Sequence, residues 1–373
     1  MELTDFLMVI AGLGLLIAGG EALVRGASTV ATKLGLSPLI IGLVVVSAAT
    51  SAPELAVTLD AVAKGESDLA IGNVVGSNII NVLVILGISA LISPLFIKRR
   101  VVSFDIPVMV GLTVLLLALG LDGNIGALDG ALLLVGLVFH IVMSITVGRK
   151  RAPEADEVPS SMPLNSEPVS IWLALLLLAV GVGLLVLGAQ LLVAGATAIA
   201  TAVGVSDLVI GLTVVAIGTS LPELATSIVA LRRGERDMAV GNIVGSNLFN
   251  IGLVLGLPAV IFSGGIPVPT AAIALDMPLM LATAIALLPV AFTGFVIRRW
   301  EGGIFVSLYL AYTLYVVLAS TEHDAAQGFT AIMLWFVLPL VSATLVALTA
   351  YEIGVIRGKQ QNTAGKKTST SKR

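Results

Sequence analysis

The sequence predicts an all-α membrane protein with about eleven transmembrane helices, arranged as two inverted five-helix repeats plus one C-terminal helix. Three observations lead to this prediction. The chain of 373 residues is 57% hydrophobic and only 12% charged, with a mean hydropathy of +1.08, which is too apolar for a soluble domain of this size. Many of its apolar runs are long enough to cross a bilayer. Its two halves also share a gapless internal repeat.

The apolar runs form two groups of five spans and one additional span. Each is close to or above the roughly 20 residues that a transmembrane helix needs. The first group lies near 6–24, 38–63, 69–93, 103–121 and 127–147. The others lie near 170–200, 208–230, 238–262, 271–296, 303–319 and 328–354. The predicted units are a first repeat at 1–148, a cytoplasmic linker at 149–168, a second repeat at 169–322, an additional transmembrane helix at 323–356 and a basic cytoplasmic tail at 357–373.

The distribution of basic residues predicts the orientation. With the N-terminus outside, the ends of the spans that lie inside carry nearly all of them: Arg25, Lys33, Lys98, Arg99, Arg100, Arg149, Lys150, Arg151, Arg232, Arg233, Arg236, Arg298 and Arg299. Only Lys64 falls in an outer loop. Because cytoplasmic loops are enriched in Lys and Arg, we expect a multi-pass protein of the cell (inner or plasma) membrane, with its N-terminus outside and its C-terminus in the cytoplasm.

The internal repeat predicts that the two halves are inverted. The segment "GLVVVSAATSAPELAVTLDAVAKGESDLAIGNVVGSNIINVLVILG" (42–87) aligns without a gap to "GLTVVAIGTSLPELATSIVALRRGERDMAVGNIVGSNLFNIGLVLG" (211–256), at an offset of 169. Five spans, an odd number, precede the second copy, so the copies enter the membrane from opposite sides. Inverted repeats are typical of secondary transporters, whose sites lie near the midplane on helices broken by Gly or Pro.

The second span carries polar side chains along one helical face. Ser47, Thr50, Ser51 and Glu54 are spaced i, i+3, i+4 and i+7. Pro53 cannot donate a backbone hydrogen bond, so nearby carbonyls, including that of Thr50, are free to point into a cavity. The seventh span repeats this pattern with Ala216, Thr219, Ser220, Pro222 and Glu223.

The third and eighth spans add polar stripes of their own. These consist of Asn73, Ser77 and Asn81 in one copy, and of Asn242, Ser246 and Asn250 in the other. Polar stripes in apolar helices are expected to face one another, because facing lipid would leave them unsatisfied. The resulting site contains only oxygen ligands, which suits Ca²⁺ or Na⁺ and does not suit zinc or copper. Two glutamates balance one Ca²⁺ or two Na⁺.

At these residues the chain resembles the alpha-repeats of the sodium/calcium exchanger family. The second copy reads "GTSLPE" followed by "GNIVGSNLFN", and the first copy carries a variant of the same motifs in the inverted half. The resemblance covers the ten-span core. It implies export of Ca²⁺ driven by the inward Na⁺ gradient, with Glu54 and Glu223 as central carboxylates and the Thr50 and Thr219 carbonyls completing the Ca²⁺ site. Family positions that line the flanking Na⁺ sites match Ser51, Ser77, Ala216, Ser220 and Ser246. Asn81 matches a midplane ligand.

Three departures from the family pattern bear on the ions. The first copy reads "ATSAPE", with Ala49 where the family usually has Gly. Ser47 stands where the second copy has Ala216. Asn250 occupies a position that is often Asp in the second repeat of the family, so a third carboxylate is absent and the ion stoichiometry stays open.

Other functions remain as alternatives. Ca²⁺/H⁺ antiport is the closest, since both glutamates can be protonated. A channel would need a through-pore, whereas inverted repeats around one central site favour alternating access. An enzyme is not expected, because the sequence shows no zinc-binding His pair and no Ser–His dyad. We expect no cofactor beyond the transported ions (Ca²⁺ and Na⁺, with H⁺ as a candidate). The expected partners are those ions and the lipid bilayer, with no nucleic acid and no obligatory protein.

Four titratable residues are assigned structural roles. Asp105 and Asp276, each in a "D-x-P-x-M" context, are expected to cap span ends. His140, for which the sequence shows no partner pattern, is expected to be structural or at the surface. Glu21 is expected to pair with Arg25, one helical turn later.

Overall fold

The computed structural model describes residues 3–150, 170–205, 216–321 and 325–347, together with 210, 214, 350 and 354. Nine of the helices in these residues are long and apolar enough to span a membrane, and a bent pair makes a tenth. The prediction of an all-α membrane protein is confirmed. Residues 208, 209, 211–213 and 215 of the predicted seventh span lie outside the described residues, so the count of eleven stays a prediction. The predicted linker, apart from its first two residues, and the predicted tail lie outside them as well.

The helices follow the order of the predicted spans. They are α1 (Leu3–Leu34), α2 (Pro38–Thr50 and Ala52–Lys64), α3 (Ser67–Ile92), α4 (Val101–Gly120), α5 (Ala127–Lys150), α6 (Ile171–Ala202), α7 (Ala216–Gly218 and Leu221–Arg232), α8 (Arg236–Ile261), α9 (Ala272–Phe292), α10 (Arg299–Ser320) and α11 (Ala325–Ala347). The prediction ended the first span at residue 24, yet α1 continues over Arg25 and Lys33. Charged residues end an apolar run without ending a helix, because Arg and Lys have good helix propensity.

α3 and α8 form the centre of the fold. In their most apolar stretches 78% and 83% of the residues are buried, against 33% for α1 and 22% for α6. α8 packs closely on the first half of α2, since a Cβ added at Gly241 or Gly245 would lie 2.5 Å from the carbonyl oxygen of Leu39 or Leu43. α11 is peripheral, and no residue of it between Ala325 and Ala347 is buried.

α1 and α6 pack antiparallel along a glycine seam. The seam consists of Gly12, Gly19 and Gly26 of α1 and of Gly181, Gly188 and Gly195 of α6. A Cβ at Gly19 would lie 2.9 Å from the Gly181 carbonyl oxygen, and a Cβ at Gly188 would lie 2.9 Å from that of Gly12. The two sets are related by the repeat offset of 169. The backbones of equivalent helices therefore touch directly, as small residues allow in membranes.

Two short ribbons join loops of one repeat to loops of the other. β1 (Leu95–Phe96) pairs antiparallel with β4 (Val296–Ile297), and β2 (Asn124–Ile125) pairs with β3 (Ile266–Pro267). The first ribbon links the α3–α4 and α9–α10 loops, and the second links the α4–α5 and α8–α9 loops. Each ribbon thus joins two loops that the predicted topology assigns to one side of the membrane. The sequence analysis did not predict these strands, since two-residue strands leave no periodic pattern.

Several helices contain a π-helical turn at equivalent places in the two repeats. α3 has one at Asn81–Ile85 and α8 has one at Asn250–Leu255, each beginning at an asparagine of the predicted polar stripe. α4 and α9 have them at Val101–Asp105 and Ala272–Asp276. A π turn changes the direction of the side chains around it and is frequent at functional sites.

Candidate cation-binding site

The breaks in α2 and α7 position the two glutamates. α2 is bent by 41° between Thr50 and Ala52, and Ser51 at the break has φ −81° and ψ 0°. The helix then restarts with Pro53 and Glu54 in its first turn. In α7 the chain makes the same break at Ser220 (φ −90°, ψ 7°), and Glu223 lies in the first turn of the restarted helix. Both carboxylates therefore lie near a helix N-terminus inside the protein, where the backbone dipole favours negative charge.

An asparagine of the neighbouring helix holds each glutamate in place. Asn73 Nδ2 donates to the Glu54 carbonyl oxygen (3.1 Å) and to Thr58 Oγ1 (3.0 Å). Asn242 Nδ2 donates to the Glu223 carbonyl oxygen (3.4 Å) and to Ser227 Oγ (3.2 Å). Asn73 and Asn242 belong to the predicted polar stripes, and the structure shows that their amides fasten α3 to α2 and α8 to α7.

Hydrogen bonds between the repeats bring several predicted residues together. Thr50 Oγ1 donates to Asn242 Oδ1 (3.2 Å) and lies 3.4 Å from Ser246 Oγ. Asn81 Nδ2 donates to Asn247 Oδ1 (3.1 Å). The polar faces of α2, α3, α7 and α8 therefore meet between the two repeats.

The predicted ligands leave a set of buried oxygens without hydrogen-bond partners in the described part of the chain. They are both carboxylate oxygens of Glu54 and of Glu223, the hydroxyls of Ser51, Ser77 and Ser220, and the amide oxygens of Asn81 and Asn250. Glu54 and Glu223 are fully buried. A buried carboxylate is costly unless a cation or hydrogen bonds compensate it. Carboxylate, hydroxyl and amide oxygens together suit a hard cation such as Ca²⁺.

The structure says less about three other predicted residues. Ser47 Oγ donates to the Leu43 carbonyl oxygen (2.7 Å), so its proton is already engaged, and the side chain lies against Gly245. Thr219 is half-buried in the break of α7. Ala216 begins α7, but its side chain lies outside the described residues. The roles predicted for the Thr50 and Thr219 carbonyls stay predictions.

Sequence reasoning missed two supporting contacts, whose residues line one small cavity. Asn247 Nδ2 contacts Met109 Sδ at 3.4 Å, and Asn78 Nδ2 contacts Met280 Sδ at 3.4 Å. All four residues are buried. Asn78 and Asn247 stand in the duplicated "GSN" motif, and the methionines end the two "D-x-P-x-M" motifs. Both motifs are duplicated, and this shared duplication is the sequence signal that could have indicated contacts between them.

The net charge of the site comes from two carboxylates. Among the described residues, no group of three or more His, Cys, Asp or Glu side chains could hold a metal ion. The other candidate ligands around Glu54 and Glu223 are therefore neutral oxygens. The two negative charges match one divalent or two monovalent cations.

The architecture agrees with that of known proteins. A family model described as "Sodium/calcium exchanger protein" matches residues 4–146 and 173–318. This chain belongs to the sodium/calcium exchanger family. As a member of that family it is an antiporter-type membrane transporter and not an enzyme.

Individual members of the family cover most of the chain. CaxA of Alkalimonas amylolytica, named as an antiporter, is 38% identical over 309 residues, which is 82% of this chain and 96% of CaxA. The sodium/calcium exchanger MaX1 of Methanosarcina acetivorans is 32% identical over 347 residues (84% of this chain, 98% of MaX1). A structure of the sodium-calcium exchanger NCX_Mj, soaked with zero Na⁺ and Ca²⁺, superposes with a TM-score of 0.70 at 30% identity. It covers 86% of this chain and 100% of NCX_Mj.

Proposed function

We propose that this exchanger-family protein is a secondary active antiporter that exchanges Na⁺ for Ca²⁺ across the cell membrane by alternating access. The observation that carries the proposal is the set of buried, unpartnered oxygens around Glu54 and Glu223 at the meeting of the two repeats. One Ca²⁺ or two Na⁺ would neutralise the pair of carboxylates. Competition of the two ions for the same oxygens gives a physical basis for exchange. The names of MaX1 and NCX_Mj, both sodium/calcium exchangers, support this choice of ions.

The proposed site consists of the carboxylates and the oxygen ligands around them. Its residues are Glu54, Glu223, Thr50, Thr219, Ser51, Ser220, Ser77, Ser246, Asn81, Asn250, Ser47 and Ala216. In this assignment the carboxylates and threonine carbonyls hold Ca²⁺, and the serine hydroxyls with position 216 line the flanking Na⁺ sites. The protein is placed in the cell membrane with its N-terminus outside and its C-terminus in the cytoplasm, on the distribution of Lys and Arg.

Ca²⁺/H⁺ antiport on the same fold is the second candidate. Asn250 is fully buried and neutral at a position that is often Asp in the family. Only two carboxylates then balance the ions, and each of them can carry a proton in place of Na⁺. The name of CaxA states an antiporter without naming its ions.

Imposed gradients in proteoliposomes distinguish the two candidates. Uptake of ⁴⁵Ca²⁺ is measured with an outward Na⁺ gradient at equal pH, and separately with an outward proton gradient in Na⁺-free buffer. Na⁺/Ca²⁺ exchange predicts uptake in the first arm and none above the leak in the second. The reverse result would establish the proton as the counter-ion. Absence of uptake in both arms, from protein that is folded and inserted, would contradict both.

A further inference from the structure

A second polar cluster lies away from the candidate cation site, at the end of the molecule that carries the β1–β4 ribbon. Asp105 is fully buried and lies 2.9 Å from His140 Nε2, with Ser144 Oγ at 3.4 Å and Arg100 Nε at 3.7 Å. His140, which was expected to be structural or at the surface, is buried and paired with Asp105, and Asp105 is a buried ion-pair acceptor rather than an interfacial cap. The "D-x-P-x-M" context gave no sign of these partners, because they come from the start of α4 and from α5.

A cavity of about 590 Å³ opens beside this cluster. It lies between the start of α4, α5 and the end of α9, next to the point where Ile97 N donates to the Phe295 carbonyl oxygen beside the ribbon. Its walls are mostly apolar, formed by Val102, Phe104, Met143, Phe292 and Phe295. Such a volume lies within the range of cavities that hold small molecules.

Two arginines supply the charge of the cavity. The Arg100 side chain is only 14% exposed, and its Nε and Nη2 have no hydrogen-bond partner within the described residues. Its nearest carboxylate is Asp105, whose Oδ1 accepts from His140 and Ser144 and whose Oδ2 lies 3.7 Å from Arg100 Nε, beyond hydrogen-bond distance. The Arg99 guanidinium lies over the Phe295 ring, 5.2 Å from its centroid, and lines the same cavity. The cavity therefore carries two guanidinium groups, and the one of Arg100 has buried donors that are not used. Such a pair favours an anion with several acceptor oxygens, such as a phosphate.

The apolar walls select among phosphate ligands. We propose that this cavity binds the headgroup of an anionic phospholipid, with the phosphate at Arg99 and Arg100 and the first acyl carbons against Phe104, Met143 and Phe292. A free phosphate ion would leave those walls wet, whereas a lipid covers them and gains hydrophobic contact. The predicted topology places this end in the cytoplasmic leaflet. Basic pockets between transmembrane helices on the cytoplasmic side bind anionic headgroups.

The lipid would act on one repeat only. With Asp105 matched to Asp276, the positions equivalent to Arg99 and Arg100 are Thr270 and Ala271, so the other end lacks the pair of cations. Asp276 instead accepts from Tyr312 at 3.0 Å. Within α4, Met109 lies one turn after Asp105 and contacts Asn247, the acceptor for Asn81 of the candidate cation site. The cavity is thus joined to that site through a single helix.

Native mass spectrometry of the full-length protein with defined lipid mixtures tests the proposal. Wild-type protein in an equimolar mixture of phosphatidylglycerol and phosphatidylcholine should retain phosphatidylglycerol preferentially. Arg100→Gln should lower that preference about fivefold, the value of one basic residue near anionic lipid. Arg232→Gln, which removes an exposed arginine outside the cavity, should leave the preference unchanged.

A second variant and a competitor complete the test. Ser103→Glu places a negative charge at an exposed position of the cavity lining and keeps both arginines, so it should also lower the preference even if Arg100→Gln fails to fold. Equal retention of both lipids by wild-type protein, or an unchanged preference in Ser103→Glu, would overturn the proposal. Release of phosphatidylglycerol by millimolar inorganic phosphate would show that the cavity recognises phosphate and not the lipid, and would overturn it too.

Discussion

Glu54 and Glu223 are held in the protein interior, and no positive side chain in the described part of the chain forms an ion pair with them. Both are fully buried, and none of the ion pairs formed within the described residues involves either carboxylate. Their backbone carbonyls accept from Asn73 and Asn242, so both residues are fixed in position while their carboxylate oxygens stay unpaired. An arrangement of this kind is stable only with a cation or a proton in place of the missing partner.

Replacing either carboxylate should therefore abolish exchange. Glu54→Gln and Glu223→Gln keep the shape of the side chain and remove one negative charge, and an uncompensated buried charge costs several kcal/mol. We expect ⁴⁵Ca²⁺ exchange to fall on the order of a hundredfold or more in each variant. Asp60→Asn is the matched control on α2, because Asp60 is exposed and pairs with Lys64 at 2.6 Å. Exchange at the wild-type rate in either Gln variant would show that the site has been assigned wrongly.

The neutral side chain of Asn250 is expected to limit the positive charge that the proposed site can balance. With two carboxylates, a third Na⁺ would leave a net positive charge in the interior, so we expect wild-type exchange to depend less on membrane potential than exchange of three Na⁺ for one Ca²⁺ would. Asn250→Asp adds a third carboxylate beside the first two and should strengthen the binding of divalent cations. The measurement is Ca²⁺ flux at clamped potentials in proteoliposomes, for wild type and variant. Strongly voltage-driven wild-type exchange would show that neutral oxygens suffice for a third Na⁺.

The sequence indicated Glu54 and Glu223 as a candidate site, but it did not indicate the contacts that support them. A Pro-Glu pair inside an apolar span, present twice at one offset, indicates a site without any knowledge of packing. The hydrogen bond from Asn81 to Asn247 depends on the register between α3 and α8. The ion pair of Glu21 depends on which helix end packs next to it. Glu21 pairs with Arg233, with Nε–Oε2 at 2.9 Å, and not with Arg25 as expected from helical spacing.

At the level of the helices, the glycine seam makes the α1–α6 pair sensitive to a single methyl group. A Cβ at Gly19 would lie 2.8 Å from Leu185 N and 2.9 Å from the Gly181 carbonyl oxygen, so Gly19→Ala forces two backbones apart. Overpacking of this kind costs roughly 1–3 kcal/mol. We expect a lower Tm in detergent for Gly19→Ala and for its repeat equivalent, Gly188→Ala.

Controls for the seam exist on the same two helices. A Cβ added at Gly14 or Gly183, which are also repeat equivalents, meets no described atom within 4 Å. Gly14→Ala and Gly183→Ala should leave the Tm unchanged or raise it slightly, because Ala favours the helix by about 1 kcal/mol over Gly. A Tm that falls equally in all four variants would contradict tight packing at the seam.

Helix existence was easier to predict from sequence than helix detail. Hydropathy located the spans, because length and apolarity suffice to identify a transmembrane helix. It could not locate the π turns at Asn81 and Asn250, which depend on one extra residue per turn and leave no mark in composition. Nor did it show where α1 ends, since its last turns carry the charges that a hydropathy window excludes.

At the scale of the whole molecule, the two ribbons indicate which loops lie on the same side of the membrane. β1–β4 and β2–β3 each join one loop from either repeat, as inverted copies require. The natural absence of cysteine allows the predicted sides to be tested directly. In sealed, right-side-out vesicles a membrane-impermeant maleimide should label Asp122→Cys, in the loop before β2, and should not label Arg232→Cys at the end of α7.

Permeabilised vesicles provide the control for labelling. Arg232→Cys should react once detergent opens the membrane, which shows that the residue is accessible and was shielded by sidedness alone. Reaction of Arg232→Cys in sealed vesicles, with Asp122→Cys protected, would invert the proposed orientation while leaving the pairing of loops intact.

The length of α6 has a consequence for the membrane itself. Its 32 residues, Ile171–Ala202, include no charged side chain and extend over about 48 Å at 1.5 Å per residue. The hydrocarbon core is about 30 Å thick. An upright α6 would expose apolar turns to water, so the helix must lie oblique or stretch the bilayer around it. Since α1 contacts α6 backbone to backbone, the two helices are expected to tilt together. A change in the thickness of the surrounding membrane would then act on both repeats at once.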